Sequence, residues 1–452
     1  MLELSLNEIV EITNGNLYGK NQCQTFNSVS TDTRKVSEGD VFIAFKGEHF
    51  NGNKYVLDAF DSGASLCIVD ELHIDCNNIP SNKSLILVDN TEKALGKLAQ
   101  FYIKKMNVTT IGVTGSCGKT STKDMISAAL SSKFKVLKTM GNFNNHLGLP
   151  LTILRLDSSY DVAILEMGMS HAKEIEYLAE IAKPNIVVIT NIGLSHIENL
   201  GTQENILKAK MESTTYFDKT NVLIINGDDA HLNSVSSELY PVVKVGTNDN
   251  FDFCAKNISL NSLSSSFEVL SDSLKGCCTL DLPGKHNIIN YLLSIAVGKE
   301  MGLSLFDIEQ GIKNIEKTSM RLDMLDVNGY TIINDCYNAS PDSMKSAIEV
   351  QINLNKKRNI AVLGSMFELG EISNACHYDL GEYISSKNID IVFTTGTYTE
   401  EYKHALKEKC LYFESKDDLI SSLKKYVQPG DSILIKASRG AKFEDIYMSL
   451  LN

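Results

Sequence analysis

Ile111-Gly-Val-Thr-Gly-Ser-Cys-Gly-Lys-Thr-Ser121 is the stretch on which the reading of this chain turns. An apolar run, Thr110–Thr114, leads into it, and helix-forming residues begin at about Thr120. Strand, glycine-rich turn and helix in that order make a phosphate-binding loop, because amides at a helix start point at phosphate oxygens and the helix dipole favours negative charge. Gly115 and Gly118 let the backbone come close, and Ser116, Cys117 and Ser121 complete the turn. Lys119 is placed to meet the β- and γ-phosphates of ATP, and the Thr120 hydroxyl to hold Mg²⁺. The long pattern GxxxxGK[ST] fails, because Val113 stands at its first glycine, whereas GxxGK[ST] matches. An ordinary glycine-rich turn is the competing reading; the strand before and the helix after weigh against it.

Working outward, apolar runs recur at Val162–Leu165, Ile186–Thr190 and Val222–Ile225, separated by helical stretches. That alternation predicts a mostly parallel sheet with helices on both faces. Ligands of such sheets gather at the carboxyl ends of the strands. Glu166 ends one run, where a carboxylate suits a Mg²⁺ ligand or, equally simply, an edge salt bridge. His196 follows the next run and could touch metal or phosphate, although a single histidine is more often structural. Lys210 shares a helical face with Ile206 and Thr214, so it could point inward; a solvated lysine is the default. Gly141-Asn-Phe-Asn-Asn-His146 is an amide-rich loop. Its Asn142, Asn144 and Asn145 could serve a substrate or only the turn.

Before this core, Ser28–Arg34 reads as a polar, hydroxyl-rich loop, and Gly39–Lys46 and Ala64–Val69 as strands. Asn90–Lys105 reads as a linking helix with Leu95, Leu98 and Tyr102 on one face. After it, strands are expected at Tyr330–Asn334, Ile360–Leu363, Ile391–Thr394 and Ser432–Ile435. The expected fold is α/β in three domains. These are a small α/β domain over 1–90, a central P-loop parallel-sheet ATPase domain over 91–316, and a Rossmann-like domain over 317–452.

The length agrees: 452 residues at roughly 150 per domain make about three. Apolar residues are 43% and charged residues 22%, which excludes a disordered, collagen-like or disulfide-miniprotein chain. Lys plus Arg is 43 against 56 Asp plus Glu, a net charge of −13. That balance speaks against a nucleic-acid partner. No apolar run nears the roughly 18 residues of a membrane span. The opening Met1–Val10 carries two acids and no basic residue, a poor secretory leader. Ten cysteines without a CxxC pair read as reduced thiols of a cytoplasmic protein, with Cys277-Cys278 serving packing. Only five basic residues are arginine, the better anion grip: Arg34, Arg155, Arg321, Arg358 and Arg439.

Taken together, these residues resemble the Mur ligase family of peptidoglycan synthesis, over the whole chain. Thr-Gly-Ser-Cys-Gly-Lys-Thr-Ser (114–121), Gly-Asn-Phe-Asn-Asn (141–145), Leu-Glu-Met-Gly (165–168), Gly-Leu-Ser-His (193–196), Lys-Ala-Lys (208–210) and His-Asn-Ile-Ile-Asn (286–290) fit its pattern. Ser-Thr-Asp-Thr-Arg (30–34), Asp-Cys-Tyr-Asn-Ala-Ser-Pro-Asp-Ser (335–343), Gly-Ser-Met-Phe-Glu-Leu-Gly (364–370) and Lys-Ala-Ser-Arg (436–439) narrow it to the branch that adds D-alanyl-D-alanine to UDP-N-acetylmuramoyl-tripeptide. The family departs from this chain at Asn334, usually Asp, and at Ser365, where Gly-Asp-Met is common.

The resemblance implies an ATP-dependent, ADP-forming amide ligase, expected to be a monomer. It implies that the first domain holds the UDP end of the substrate through Ser28, Thr31, Asp32, Thr33, Arg34 and Lys46. Glu166 and His196 would help Thr120 hold Mg²⁺. Lys210 would carry a carbamate formed with CO₂ and bind a second Mg²⁺. Asn287 and Asn290 would lie along the adenine. Arg321 and Asp335 would reach phosphates and ribose, with Tyr337 and Asn338 completing the cleft. Phe367, Glu368 and Leu369 would face the dipeptide. The third domain would swing onto ATP about a hinge near 317. Two other readings remain: another amino-acid ligase of the superfamily, such as a folate ligase, and a noncatalytic nucleotide switch. The Asp-Asn-Pro-Arg motif expected of the sibling that adds a diamino acid is absent.

Overall fold

In the computed structural model, which describes residues 2–19, 25–316 and 318–451, the strand Thr109–Thr114 lies inside a nine-stranded sheet. It runs parallel to Val162–Glu166 on one side and to Ile186–Ile189 on the other. Every residue of Val162–Glu166 is buried, as a strand covered on both faces requires. Its side chains alternate between two cores. Val162 and Ile164 pack with Ile288, Tyr291 and Ile295 of the helix Lys285–Glu300. Ala163 and Leu165 pack with Leu95, Leu98 and Tyr102 of the helix Thr91–Met106.

Register decides where the site can be. Val113 pairs with Glu166, and Thr114 with Ile189, so the three central strands stop at one level. The loops that follow them therefore open on the same edge.

The sheet departs from the parallel expectation at one side. Phe253–Leu260, Ser265–Ser271 and Leu274–Leu280 add an antiparallel meander. In it Cys278 is buried and Cys277 exposed, so only the former packs; neighbours on a strand point to opposite faces.

Two smaller sheets flank the central one. The first has five strands, with Leu66–Val69 at its centre and Asn16–Gly19 antiparallel at one edge. The expected loop Ser28–Arg34 is partly regular: Val29–Ser30 pairs with Val41–Ile43, and Thr33–Lys35 forms a 3₁₀ turn. The other flanking sheet has six strands, Tyr330–Asn334, Asp431–Lys436 and Arg358–Leu363 lying side by side in parallel. The expected hinge falls at Lys317, outside the described residues.

The first unit is tied to the central one by a buried phenol. Tyr102 Oη donates to the Leu156 carbonyl at 2.8 Å and accepts from the Glu3 amide at 3.2 Å. Tyr102→Phe leaves both groups without that partner. It should cost about 1–3 kcal/mol, seen as a lower urea midpoint with unchanged secondary structure by circular dichroism.

Candidate active site

The helix Lys119–Leu130 begins directly after the glycine turn. Gly115 has φ 146, and a Cβ there would sit 1.9 Å from Thr190 Oγ1. Gly118 caps the helix at φ 80. Both positions demand glycine. The turn is braced from the neighbouring strand end: the Ser116 amide donates to the Asn191 carbonyl at 3.0 Å and the Cys117 amide to Asn191 Oδ1 at 2.8 Å. Those two amides are therefore engaged, and anion binding falls to the first-turn amides of Lys119, Thr120 and Ser121, which have no carbonyl partner within the helix. Lys119 folds back so that Nζ donates to the Gly115 carbonyl at 2.7 Å. Its burial pulls the ammonium below its ordinary range.

Thr120 Oγ1 donates to Glu166 Oε2 at 3.1 Å, and Asn144 Nδ2 donates to Glu166 Oε1 at 2.9 Å. His196 stands in the left-handed region at φ 67. Its Nδ1 lies 2.8 Å from Glu368 Oε2. Among the described residues no three His, Cys, Asp or Glu side chains cluster for a metal. The Thr120 hydroxyl and the Glu166 carboxylate, bonded to each other, fit Mg²⁺, which takes few protein oxygens and completes its shell with phosphate and water.

Arg321 reaches in from the six-stranded unit. Its Nη2 donates to Thr120 Oγ1 at 3.0 Å, its guanidinium lies 4.1 Å from the Tyr337 ring centre, and its buried Nε has no partner. A buried, unsatisfied guanidinium donor beside a helix start is a place for an anion. Asp335 is fixed by Lys436, whose Nζ lies 2.5 Å from its Oδ2 and also donates to the Asn338 carbonyl at 2.9 Å. Cys117 Sγ and Ser340 Oγ, 2.9 Å apart, close the same seam.

These groups line one cleft of about 560 Å³. It gathers Ser116–Ser121, Asn142, Asn144, Asn145, Glu166 and His196 with Asn287, Asn290, Arg321, Asp335, Tyr337, Asn338 and Glu368. Asn287 and Asn290, one turn apart, bond each other at 3.4 Å, with Asn290 against Gly118.

Other expected site residues lie elsewhere. Lys210 is outside the cleft lining and 1% exposed, and among the described residues its side chain makes no hydrogen bond or ion pair. Burial and the Lys119 cation push its ammonium well below the usual range. Leu369 is buried in the core of the six-stranded unit, where no ligand can touch it. Phe367 is exposed and leans on Gly440. Among the described residues, none of 1–90 lines the cleft. There Ser28 donates to Asp40 at 2.8 Å, Arg34 pairs with Asp32 and Lys46 with Glu71 at 2.5 Å, while Thr31 and Thr33 are half-buried. Arg439 pairs with Glu444 at the surface at 3.2 Å.

Among the cleft residues that escaped the sequence reading are Asn191, Lys436 and His286. Asn191 sits just past a strand end beside the glycine turn, a position that marks it. Lys436 ends a strand in a motif already quoted. His286 precedes Asn287, and burial lowers its imidazole to about 4, so it stands neutral in the cleft wall. Gly115→Ala should weaken binding of a nonhydrolysable ATP analogue by about tenfold or more while leaving the far-ultraviolet spectrum unchanged. Titration calorimetry would read it, and unaltered affinity would contradict the close fit against Thr190.

Comparison with known proteins adds the following. The family model "Mur ligase middle domain" matches residues 113–298, "Mur ligase, glutamate ligase domain" residues 320–439, and "Mur ligase family, catalytic domain" residues 25–103. The chain is similar to the UDP-N-acetylmuramoyl-tripeptide--D-alanyl-D-alanine ligase of Bacillus subtilis, 39% identical over 462 aligned positions that span 100% of this chain and 99% of that protein. It is similar in structure to MurF from Acinetobacter baumannii, with a TM-score of 0.91 at 27% identity over 99% of this chain and 98% of the other. The MurF ligase of Thermotoga maritima, solved in complex with ADP, has a TM-score of 0.83 at 28% identity over 94% of this chain and 97% of the other.

Proposed function

The chain belongs to the Mur ligase family, and we propose that it joins D-alanyl-D-alanine to UDP-N-acetylmuramoyl-tripeptide, cleaving ATP to ADP and phosphate, as a cytoplasmic monomer of peptidoglycan precursor synthesis. One observation carries the reading: a phosphate loop and a guanidinium with an unsatisfied buried donor, contributed by separate units, face a single cleft. The likeness over full length to ligases of that name supports the choice of substrates. The T. maritima relative's complex with ADP supports the nucleotide.

In this reading the γ-phosphoryl group of ATP passes in line to the terminal carboxylate of the tripeptide. The product is an acyl phosphate. The free amine of D-alanyl-D-alanine attacks its carbonyl carbon, the tetrahedral intermediate collapses, and phosphate leaves with the C–O bond electrons. Positioning and charge neutralisation do most of the work. Lys119 exchanges the Gly115 carbonyl for the β- and γ-phosphates, and the amides of Lys119, Thr120 and Ser121 hold phosphate oxygens. Arg321 offers its free Nε and offsets the repulsion between triphosphate and carboxylate, which is large in a dry cleft. Asp335, steadied by Lys436, faces the ribose, and Asn287 and Asn290 the adenine. Asn142, Asn144 and Asn145 face the muramoyl peptide. The 28–34 segment and Lys46 take its UDP end, Arg34 by releasing Asp32. Phe367 and Glu368 face the dipeptide.

Thr120, Glu166 and His196 would hold Mg²⁺, which neutralises phosphate charge when bound. Burial lowers the proton affinity of Lys210 and so favours the neutral amine, the form that would add CO₂ to become a carbamate able to hold a second Mg²⁺. An acyl phosphate hydrolyses in water, so the third unit closes over the cleft before chemistry.

ADP should accumulate only when the UDP-tripeptide and D-alanyl-D-alanine are both present; slow ATP hydrolysis indifferent to either would point instead to a nucleotide switch. Lys210→Ala should lose most activity and regain part of it with short carboxylic acids that replace the carbamate. Full activity of that variant in the same coupled assay would reject the role.

A further inference from the structure

His377, on the helix Ser373–Ser385, is used by none of these steps, yet it is completely buried and fully bonded. The Met366 amide donates to its Nε2 at 3.0 Å, and its Nδ1 lies 2.7 Å from the Ser373 carbonyl. An amide can only donate and a carbonyl only accept, so these partners assign the neutral ring with its proton on Nδ1. Burial favours the same form by lowering the imidazole's affinity for a second proton. The Tyr402 ring packs on it at 5.2 Å, and Tyr402 Oη donates to the Gly364 carbonyl at 3.3 Å. One residue further on, the Phe367 amide donates to Ser438 Oγ at 2.9 Å.

What this scaffold holds is the turn 364–370, and the turn ends at the cleft. Glu368 adopts φ 64, in the left-handed region that costs a residue with a Cβ about 1 kcal/mol or more. The residue it meets, His196, is in the same region at φ 67. Their side chains meet at 2.8 Å, and the amide of Glu198, two residues past His196, donates to the Glu368 carbonyl at 3.2 Å.

We propose that His377 is a positioning residue for ligation: by clamping the Met366 amide it fixes the turn that delivers Glu368 to His196, so that the third unit, once seated, sets the orientation of the His196 ring. The inference rests on the ligase reading above.

A double-mutant cycle tests it in the full-length protein, with ADP release measured on UDP-N-acetylmuramoyl-tripeptide and D-alanyl-D-alanine. His377→Leu removes the acceptor and should lower kcat by about ten- to a hundredfold, with the KM for ATP within about twofold. His377→Gln, which can present an oxygen to Met366, should recover much of that loss. Glu368→Gln should cost a similar factor, and the double variant His377→Leu/Glu368→Gln should be no worse than the poorer single, because both act through one contact. Losses that multiply, or a His377→Leu enzyme with normal kcat, overturn the proposal. Should the leucine variant fail to fold, His377→Asn, polar but too short to reach Met366, takes its place in the cycle. Hydrogen exchange of 364–370 reads the clamp without turnover: faster exchange in the variant supports it, and unchanged exchange overturns it. Failure of the wild-type protein to form the amide counts against the ligase reading alone, since the exchange measurement still judges the clamp.

Discussion

Three parallel strands ending at one level are the constraint on which the site depends. With Val113 opposite Glu166 and Thr114 opposite Ile189, the glycine turn, the carboxylate and the Asn191 loop emerge within reach of one another. A slip of one residue in the Val113–Glu166 pairing would carry Glu166 to the opposite face of the sheet and exchange the cores that Ile164 and Leu165 fill, because side chains alternate along a strand. Burial of every residue of Val162–Glu166 holds that register. The hydrophobic cores above and below the sheet thus set the distance between Thr120 and Glu166 as surely as the polar groups themselves do.

The cleft is polar where the sheet is apolar, and its charges are arranged by exclusion from water. Lys119 and Lys210 lose proton affinity through burial, and the Lys119 cation lowers that of Lys210 further. Arg321 keeps an unsatisfied buried donor. Such a site is uncomfortable without an anion, and it is completed by a residue from another unit. In the proposed reaction, nucleotide, second substrate and domain seating would meet in one electrostatic problem rather than in separate pockets.

Much of this was legible in the residues. Tyr330–Asn334 and Ile391–Thr394 are strands with the limits that their apolar runs suggested, because a strand buried on both faces leaves an uninterrupted apolar signature. Lys210 pointed inward as its spacing with Ile206 allowed. The antiparallel meander of 253–280 was missed: its half-exposed strands carry Ser, Lys and Cys in place of an apolar run. Leu369 was misplaced because a motif records neighbours in sequence, whereas burial depends on what packs from elsewhere. The self-pairing of Arg34 with Asp32 and of Lys46 with Glu71 was equally invisible, since it depends on side-chain geometry and, for the latter, on strand order. Asn191 went unnoticed because its work is done partly by its backbone, which composition does not reveal.

That last residue has a wider consequence. Asn191 occupies two amides of the glycine turn before any ligand arrives, so the conformational entropy of ordering the turn is settled during folding. In the proposed ligase, a cradle already stiff would grip the diphosphate common to substrate and spent nucleotide almost equally. Telling a full cartridge from an empty one would then fall to Arg321 and the six-stranded unit that carries it, with the cradle merely the holder.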